Sequence, residues 1–350
     1  MAVYTTIDNP ELYFQTKLYT GNGGTLAITL DGDEDMQPDF VWSKPRVSGG
    51  HFLSDSIRGG TKVLQAAEAN AEITRGSHIQ SFDTDGYTLA GDGTTNNSGD
   101  ATVSWNWKAG TAFSNDASAT GIGTIDSSGS VNETAGFSIV SYTGSGSAAT
   151  IKHGLSTTPN MMIIKNRVTD SKDWQVYYPV NDPTDALALN QNDATGDSDV
   201  YWNDTAPTSS VFSVKSGATN TSGAATIGYI FSNRQGYSKF GSYTGNGNAN
   251  GTFVYTGFKP AMVICKKSSA SGTNWGIIDN KRANSFNQIS AMLNPNSNGS
   301  EGANNNCDFV SNGFKWRTSD GNSNASATYI YMAFAESPFV NSNGVPTNAR

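Results

Sequence analysis

The 350-residue sequence has few charged residues, few of the polar residues that coat helices, and only two cysteines. Asp, Glu, Lys and Arg make up 15% of the chain, below the roughly 25% of an ordinary soluble domain. This scarcity argues against helical bundles and against sheets flanked by helices, because both need a charged solvent-facing helix side. The net charge is −8 and the longest basic run is two residues, so we expect no nucleic-acid binding.

Other absences narrow the class further. Cys265 and Cys307 lack any CxxC spacing, so we expect two unpaired structural cysteines and neither a disulfide framework nor a zinc site. No stretch approaches 18 apolar residues, so membrane insertion is not predicted. The first 15 residues lack a basic segment followed by an apolar one, so we expect no secretory signal.

Glycine, asparagine and aromatic residues are abundant instead. The chain has 38 Gly and 35 Asn, together with 16 Phe, 14 Tyr and 7 Trp. Gly and Asn tolerate the positive φ angles that tight turns need, and the aromatic content is too high for a disordered chain. The composition therefore predicts an all-β protein of many short strands joined by polar turns.

Three motifs recur along the chain at nearly constant spacing. The first reads LYTGNG at 18–23, SYTGSG at 141–146 and SYTGNG at 242–247, and it is typical of a strand that ends in a tight turn. The third closes each repeat with a strand whose aromatic and apolar residues alternate, which predicts one buried face and one exposed face. Its last residues are Trp107, Phe231 and Phe334.

The second motif is a strand led by proline, at Pro38, Pro159 and Pro260. Pro at the first position of a strand removes no hydrogen bond from the sheet. The residues that follow are continuously apolar, which indicates a strand covered on both faces. We expect the lysine near the end of each strand to mark its solvated exit. These lysines are Lys44, Lys165 and Lys266.

The repeats predict three tandem β-sandwiches of jelly-roll or immunoglobulin size, each with its own core. A single merged three-unit assembly is the alternative. Residues 111–135 are rich in Gly, Ser and Thr without periodicity, so we expect a linker that holds the first unit apart from a tight pair formed by the other two. The predicted segments are an N-terminal docking arm at 1–12, units at 13–110, 136–238 and 239–340, the linker at 111–135, and a disordered tail at 341–350.

Catalytic chemistry has little support in the sequence. His51, His78 and His153 do not recur between units, and no nucleophile elbow or paired carboxylates accompany them, so we interpret all three as surface or structural histidines. Asp55 and Arg58 recur as Asp279 and Arg282, which indicates an ion pair that closes a turn. We therefore expect no enzyme activity, no catalytic residues and no cofactor.

Two weaker kinds of site are considered. Asp31, Asp33 and Asp35 resemble the opening of a calcium loop, but the glycine and glutamate of that loop are missing, so a solvated acidic loop is the simpler interpretation and structural calcium the alternative. Trp202 and Trp316 are candidates for receptor contact by stacking on sugars, with core packing as the alternative.

Several blocks of the sequence resemble a family of tandem-repeat virion structural proteins encoded by tailed bacteriophages, especially marine ones. The blocks are TTIDNPELYFQTKLYTGNG at the start, PDFVWSKPR with SFDTDGYTL and NNSGDATVSWNWKAG in the first unit, and GYSKFGSYTGNGNANGTFVYTGFKPA with YIYMAFAESPF in the third. The resemblance covers nearly the whole chain. It implies a non-enzymatic component of the virus particle and does not place that component on tail or head.

These observations predict a virion protein that is made in the host cytoplasm and located on the exterior of the particle. The leading hypothesis is a tail appendage subunit (a fibre, spike or adhesin) that forms a homo-oligomer, expected to be a trimer. It would contact other virion proteins through the N-terminal arm and a receptor or glycan on the host surface. A capsid decoration or head-vertex fibre is the first alternative, and a glycan depolymerase is the second.

Overall fold

The computed structural model confirms the all-β prediction: strands dominate, and the helices are single short turns. None of the helices in the described ranges is long and apolar enough to cross a membrane. The three units are built around antiparallel sheets and are described in turn. The structure describes residues 4–178, 182, 185–282, 287–303 and 306–347.

Unit one pairs a large sheet with a small one. A 3-10 helix at Pro10–Leu12, capped by the Asn9 side chain, precedes the first strand. The large sheet has the order β1-β9-β3-β4-β5-β6, and the small sheet has the order β2-β8-β7. The strands are β1 (Phe14–Thr20), β2 (Leu26–Ile28), β3 (Phe40–Pro45), β4 (Phe52–Asp55), β5 (Lys62–Gln65), β6 (Ile73–Thr74), β7 (Ile79–Asp83), β8 (Gly86–Leu89) and β9 (Ala101–Trp107).

Unit two repeats this arrangement with a longer large sheet. Its order is β10-β11-β12-β19-β14-β15-β16-β17, and the small sheet pairs β13 with β18. Two short helices, α1 (Ala117–Thr120) and α2 (Asp199–Trp202), and a 3-10 turn at Gly217–Thr219 lie between strands. The strands are β10 (Thr111–Asn115), β11 (Ser127–Asn132), β12 (Phe137–Thr143), β13 (Ala149–Lys152), β14 (Met161–Asn166), β15 (Gln175–Tyr177), β16 (Asp185–Ala188), β17 (Gly196–Asp197), β18 (Val211–Val214) and β19 (Ala225–Phe231).

Unit three has the same two layers. The large sheet has the order β20-β26-β22-β23 and the small sheet the order β21-β25-β24. The strands are β20 (Ser238–Thr244), β21 (Phe253–Tyr255), β22 (Phe258–Lys267), β23 (Gly276–Asp279), β24 (Cys307–Val310), β25 (Gly313–Trp316) and β26 (Thr328–Pro338). The motif strands are therefore equivalent in sets of three: β1, β12 and β20; β3, β14 and β22; β9, β19 and β26.

The proline-led strands are buried on both faces, as their apolar runs predict. Every residue of β3 and of β14 is buried. Side chains alternate between the two faces of a strand. In β3, Val41 packs into the sandwich core of unit one, while Phe40 and Trp42 point to the opposite side of the sheet. In the same way Met162 packs inside unit two and Met161 on the opposite side.

Those opposite sides meet in a further core that all three units share. Each sandwich has a core of its own, as predicted, but the largest apolar cluster joins the large sheets of all units. The sandwiches are therefore merged through this cluster, as in the alternative, and are not separate bodies. The closing strands also bury both faces, one inside their own sandwich and one in the shared core, where the alternation had predicted an exposed face.

The glycine-rich motif forms the same corner in each unit. In unit two the Tyr142 hydroxyl donates to the Thr219 carbonyl at 2.5 Å, and the Asn220 side chain accepts from the Ser145 N–H at 2.7 Å. A Cβ added to Gly144 would lie 2.3 Å from the Thr221 carbonyl oxygen, so only glycine fits. The equivalent corners use Tyr19 with Asn96 and Tyr243 with Asn324.

The predicted linker is instead part of unit two. Within 111–135, β10 pairs with β11 and β11 pairs with β12, so the segment forms a hairpin that extends the large sheet. The prediction failed because β10 lies at the sheet edge and is largely exposed, so it carries no apolar alternation. Unit one is not held on a tether either, since its residues contact both other units through the shared core.

The chain ends also pack on the chain itself within the described range. Ile7 is buried in the shared core, and the Thr5 hydroxyl donates to the Gln235 carbonyl at 2.7 Å. The predicted arm is therefore not a free extension from residue 4 onward. The tail is ordered through residue 347: the Ser342 N–H donates to Asp8 at 2.6 Å, and Val340 bridges to Pro346.

Candidate functional site

The three units meet on an approximate threefold axis marked by their last motif residues. The rings of Trp107, Phe231 and Phe334 form a closed triangle, with centroid separations of 6.5, 5.6 and 5.9 Å. Each of the three side chains is at most 1% exposed. Because each unit contributes the same position of the same motif, the sequence repeat has become an approximate rotational symmetry of the folded chain.

The interface between units one and two contains a buried chain of charges. Arg58 Nε donates to Asp55 Oδ2 at 2.6 Å, as the turn-closing ion pair predicted, and Asp55 also accepts from the Tyr229 hydroxyl of unit two at 2.8 Å. Burial raises the pKa of Tyr229 well above 10, so its hydroxyl stays a donor. Arg58 further contacts Glu72, and Glu72 binds Arg167 of unit two through both carboxylate oxygens.

The interface between units three and one repeats this chain with equivalent residues. Arg282 Nε donates to Asp279 Oδ2 at 2.6 Å, and the Trp105 indole of unit one donates to the same oxygen at 3.0 Å. Glu301 accepts from Arg282 at 3.0 Å and binds Arg46 of unit one at 2.7 and 3.0 Å. The recurring Asp–Arg pairs therefore hold neighbouring units together as well as closing a turn.

The third interface, between units two and three, replaces the charges with neutral groups. Tyr178 stands where the other units have the aspartate, and Met332 stands where they present a tryptophan or tyrosine donor. Both side chains lie in the shared core. The arginine position of the neighbouring unit is Ser268, whose carbonyl accepts from the Thr195 N–H at 2.9 Å. At these three positions the carboxylate, its indole or hydroxyl donor and the arginine are exchanged together, so no carboxylate is buried there without its partners.

The lysines at the ends of the proline-led strands are buried, so their prediction as solvated exits is wrong. Lys165 donates from unit two to the Ala69 carbonyl of unit one at 2.9 Å, and Lys266 donates from unit three to Asn192 of unit two at 3.4 Å. Lys44 donates to the Val47 carbonyl at 2.9 Å. Burial lowers the pKa of each of the three ammonium groups to about 8.

The histidines are all buried and bonded, which agrees with the structural interpretation. His51 accepts from the Trp42 indole at 2.9 Å, and burial holds its pKa well below the usual value. His78 lies 3.2 Å from Asp92, and His153 contacts the Thr208 carbonyl at 3.2 Å. The two cysteines are free and buried, as predicted.

The stacking and calcium candidates do not form sites in the described ranges. Trp202 and Trp316 are 0% exposed, so neither can stack on a ligand at the surface, and core packing is the correct interpretation. Asp31 pairs with Lys17 on an exposed loop. The described residues contain no group of three or more His, Cys, Asp or Glu side chains that could hold a metal, and Asp31, Asp33 and Asp35 therefore do not form one.

The exposed aromatic side chains that sequence reasoning missed lie on β21 of unit three. Phe253 and Tyr255 are 44% and 48% exposed, while Val254 between them is buried in the unit's core. Beside them runs an open groove of about 170 Å³ that Tyr255 and Thr256 share with residues 233–235 and 238–239. Two larger clefts flank the β10–β11 hairpin of unit two; one is lined mainly by small polar side chains, and the other by a mixture of charged, polar and small apolar residues.

Unit three alone carries this aromatic pair. Ile28 in β2, Ile151 in β13 and Val254 in β21 all face inward and pair at the same position in the small sheet of their units. These three residues therefore show which positions of the three strands are equivalent. The residues before Ile28 and Ile151 are Ala27 and Thr150, and those after them are Thr29 and Lys152. No sequence signal distinguished these outward rings from core aromatics, because alternation does not reveal which face of an isolated strand is covered.

Comparison with known families assigns the chain to one family. Residues 9–338 match the family described as a domain of unknown function, DUF7483, and the chain belongs to this family. The matched range runs through all three units, so the family domain corresponds to the complete three-unit body and not to one repeat. No curated protein and no solved structure matched the chain.

Proposed function

We propose that this member of the DUF7483 family is a structural protein on the exterior of a bacteriophage particle, a subunit of a tail appendage that attaches to the host surface. The observation that carries the proposal is the closed three-unit body around one shared core. Such a body has a largest apolar cluster that no single unit could bury alone. The chain is also low in charged residues, at 15%, which suits packing against neighbouring proteins in a particle.

The role we propose is non-enzymatic. The ionisable groups that the sequence brought forward are committed to structural bonds: the Asp–Arg pairs join units, and the histidines are buried against Trp42, Asp92 and Thr208. The exposed aromatic pair of unit three supplies a surface for recognition. Contact with other virion proteins through residues 1–12 and assembly into a homotrimer remain predictions.

One observation favours a second location on the particle. The approximate threefold symmetry is internal to one chain, so a single copy could occupy a local threefold position of an icosahedral shell. This supports the alternative of a capsid decoration or head-vertex fibre. The two locations predict different copy numbers: a decoration would be present in hundreds of copies per particle, and a tail appendage in a few to tens.

The test is to locate the protein on purified particles of the virus that encodes it. We expect quantitative mass spectrometry to find it in the particles and antibody labelling to place it on the tail, with soluble protein competing for adsorption to host cells. Labelling of the head at hundreds of copies would replace the tail proposal with the decoration. Absence from purified particles would refute both, and release of reducing sugar from host polysaccharide would support the depolymerase instead.

A further inference from the structure

We infer that the outward face of β21 in unit three binds an acidic saccharide. The inference rests on the proposed attachment function and names the chemical class of its ligand. Phe253 and Tyr255 are two residues apart on one strand, so both rings project from the same face of the sheet. Exposed aromatic rings supply apolar area at a small entropic cost, and the C–H faces of sugar rings pack against them.

Basic side chains flank both aromatic rings. Lys239 Nζ lies 5.1 Å from the Tyr255 ring centroid and donates to the Tyr255 carbonyl at 2.9 Å. Lys315 pairs directly across the sheet from Phe253, and such opposite residues share one face. Lys315 donates to the Gly251 carbonyl at 3.0 Å. Asp308 pairs across the sheet from Lys315 on the same face, but its carboxylate is bonded to Arg317, so within the described ranges neither lysine ammonium forms a salt bridge. On a chain of net charge −8, this local excess of positive charge favours an anionic ligand.

The groove beside Tyr255 provides the polar groups that would orient a sugar. Asn233, Gln235 and Arg234 line it. The Arg234 guanidinium is fixed by donation to the Glu133 carbonyl at 2.8 Å and to the Thr157 hydroxyl at 3.1 Å, and the Glu133 carboxylate lies 4.0 Å from it. A few fixed polar groups beside an aromatic surface form a common arrangement in small-molecule sites.

The outward face of β21 is also a place where unit three departs from the threefold symmetry of the framework. Units one and two have no aromatic residue at the positions of the two rings, where unit two has Thr150 and Lys152, and they have Gln15 and Ser138 at the position of Lys239. The residues beneath are conserved in character between units, since Ile28, Ile151 and Val254 are all buried. The shared framework therefore does not require the aromatic rings or the lysine.

The size of the patch argues for a saccharide and against a second copy of the chain. A large aromatic side chain has about 150–250 Å² of surface, so two rings at under half exposure offer about 200 Å². A stable protein dimer needs about 800 Å² per partner. Two rings with a polar groove match a ligand of a few sugar residues much better than they match a protein surface.

The experiment measures binding of the full chain to oligogalacturonate, hyaluronate and alginate oligosaccharides, each compared with its carboxyl-reduced form. We expect binding to at least one acidic probe, weakening as salt is raised, and weaker binding to the reduced form. Replacing the rings with the residues of unit one, as Phe253→Ala with Tyr255→Thr, should weaken binding at least tenfold. Lys239→Gln should weaken binding of the acidic probe and leave the reduced probe unaffected.

The matched control is Val168→Thr, which removes an apolar side chain that is 60% exposed on unit two. It should leave binding unchanged. No binding to any of the three acidic probes, or full binding by the double variant, would overturn the inference. Equal binding of acidic and reduced probes would overturn the role of Lys239 and Lys315. Loss of self-association in the double variant, seen by sedimentation without any saccharide binding, would assign the face to a second copy.

The two proposals fail separately. Saccharide binding by a protein that is absent from purified particles would refute the virion function and leave this site intact. A protein that is located on the particle but binds none of the probes would refute the saccharide site and leave the virion function intact. Circular dichroism of every variant checks that the sheets are retained.

Discussion

Replacing Arg58 with methionine tests whether the buried ionic chain holds units one and two together. The Arg58 side chain is 0% exposed and donates to Asp55 at 2.6 Å, to Glu72 at 3.0 Å, to the Leu53 carbonyl at 2.9 Å and to the Tyr229 hydroxyl at 3.1 Å. Methionine has similar length and no charge. It would leave the Asp55 carboxylate, which is also 0% exposed, without its cation.

The expected loss follows from the burial of the pair. Removing one partner of a buried ion pair costs about 3–5 kcal/mol, because the remaining charge stays desolvated and unpaired. Lys215 offers a surface control, since it pairs with Asp199 and the two side chains are 41% and 48% exposed. Lys215→Met should cost less than about 1 kcal/mol, because water solvates the carboxylate that remains.

Urea unfolding followed by tryptophan fluorescence measures both variants, with the slope of the transition showing whether the unfolding remains comparable. In the Arg58→Met background, Asp55→Asn should recover part of the loss because it removes the unpaired charge. Equal losses for Arg58→Met and Lys215→Met would show that the buried chain does not stabilise the interface. A further loss on adding Asp55→Asn would show that the unpaired carboxylate is not the cause.

Three other predictions follow from the same structure. Gly144→Ala should lower the free energy of unfolding by about 1–3 kcal/mol, because its Cβ would collide with a carbonyl oxygen. Gly76→Ala, whose Cβ meets nothing within 4 Å, should be nearly neutral, and equal urea midpoints for the two variants would contradict the corner geometry. Trp107→Ala should cost about 3–5 kcal/mol and should weaken all three units in one calorimetric transition, whereas separate transitions would contradict the shared core. Burial raises the pKa of Glu72 and Glu301, but the hydrogen bonds and charges of their arginine partners outweigh it and hold both pKa values below 4.5. Thermal stability should therefore be full above pH 4.5 and fall as the pH drops further. Glu72→Gln should flatten that fall, and an unchanged pH profile would contradict the assignment.

Local features of the fold were predictable because they depend on neighbouring residues in the chain. The strand-and-corner motif needs only glycine's freedom from a Cβ and the turn preferences of Asn and Gly, and the Asp55–Arg58 pair needs only a spacing of three residues. The recurring triplets TNN, TNT and SNA, which begin at residues 95, 219 and 323, could have revealed the buried asparagines, since they precede the closing motif in every unit.

The candidate site was not predictable in the same way. Trp202 and Trp316 are the sequence-based candidates for receptor contact, yet both are buried. The exposed aromatic rings are those of Phe253 and Tyr255. A strand of three residues shows alternation without showing which face the rest of the chain covers. The buried lysines escaped notice for a related reason, because one of the carbonyl groups that accept from Lys165, and one of those that accept from Lys266, belongs to a neighbouring unit.

The sequence by itself determined the all-β class, the threefold repeat, the burial of the proline-led strands on both faces and the corners between strands. These follow from composition, from the recurring motifs and from continuous apolar runs, which indicate that both faces of a strand are covered. Only the tertiary structure decided what covers them: a single core shared by three units, a predicted linker that became a hairpin, and charges buried at two interfaces and exchanged at the third. Packing between distant segments depends on shape and partner position, and a repeat in the sequence specifies neither.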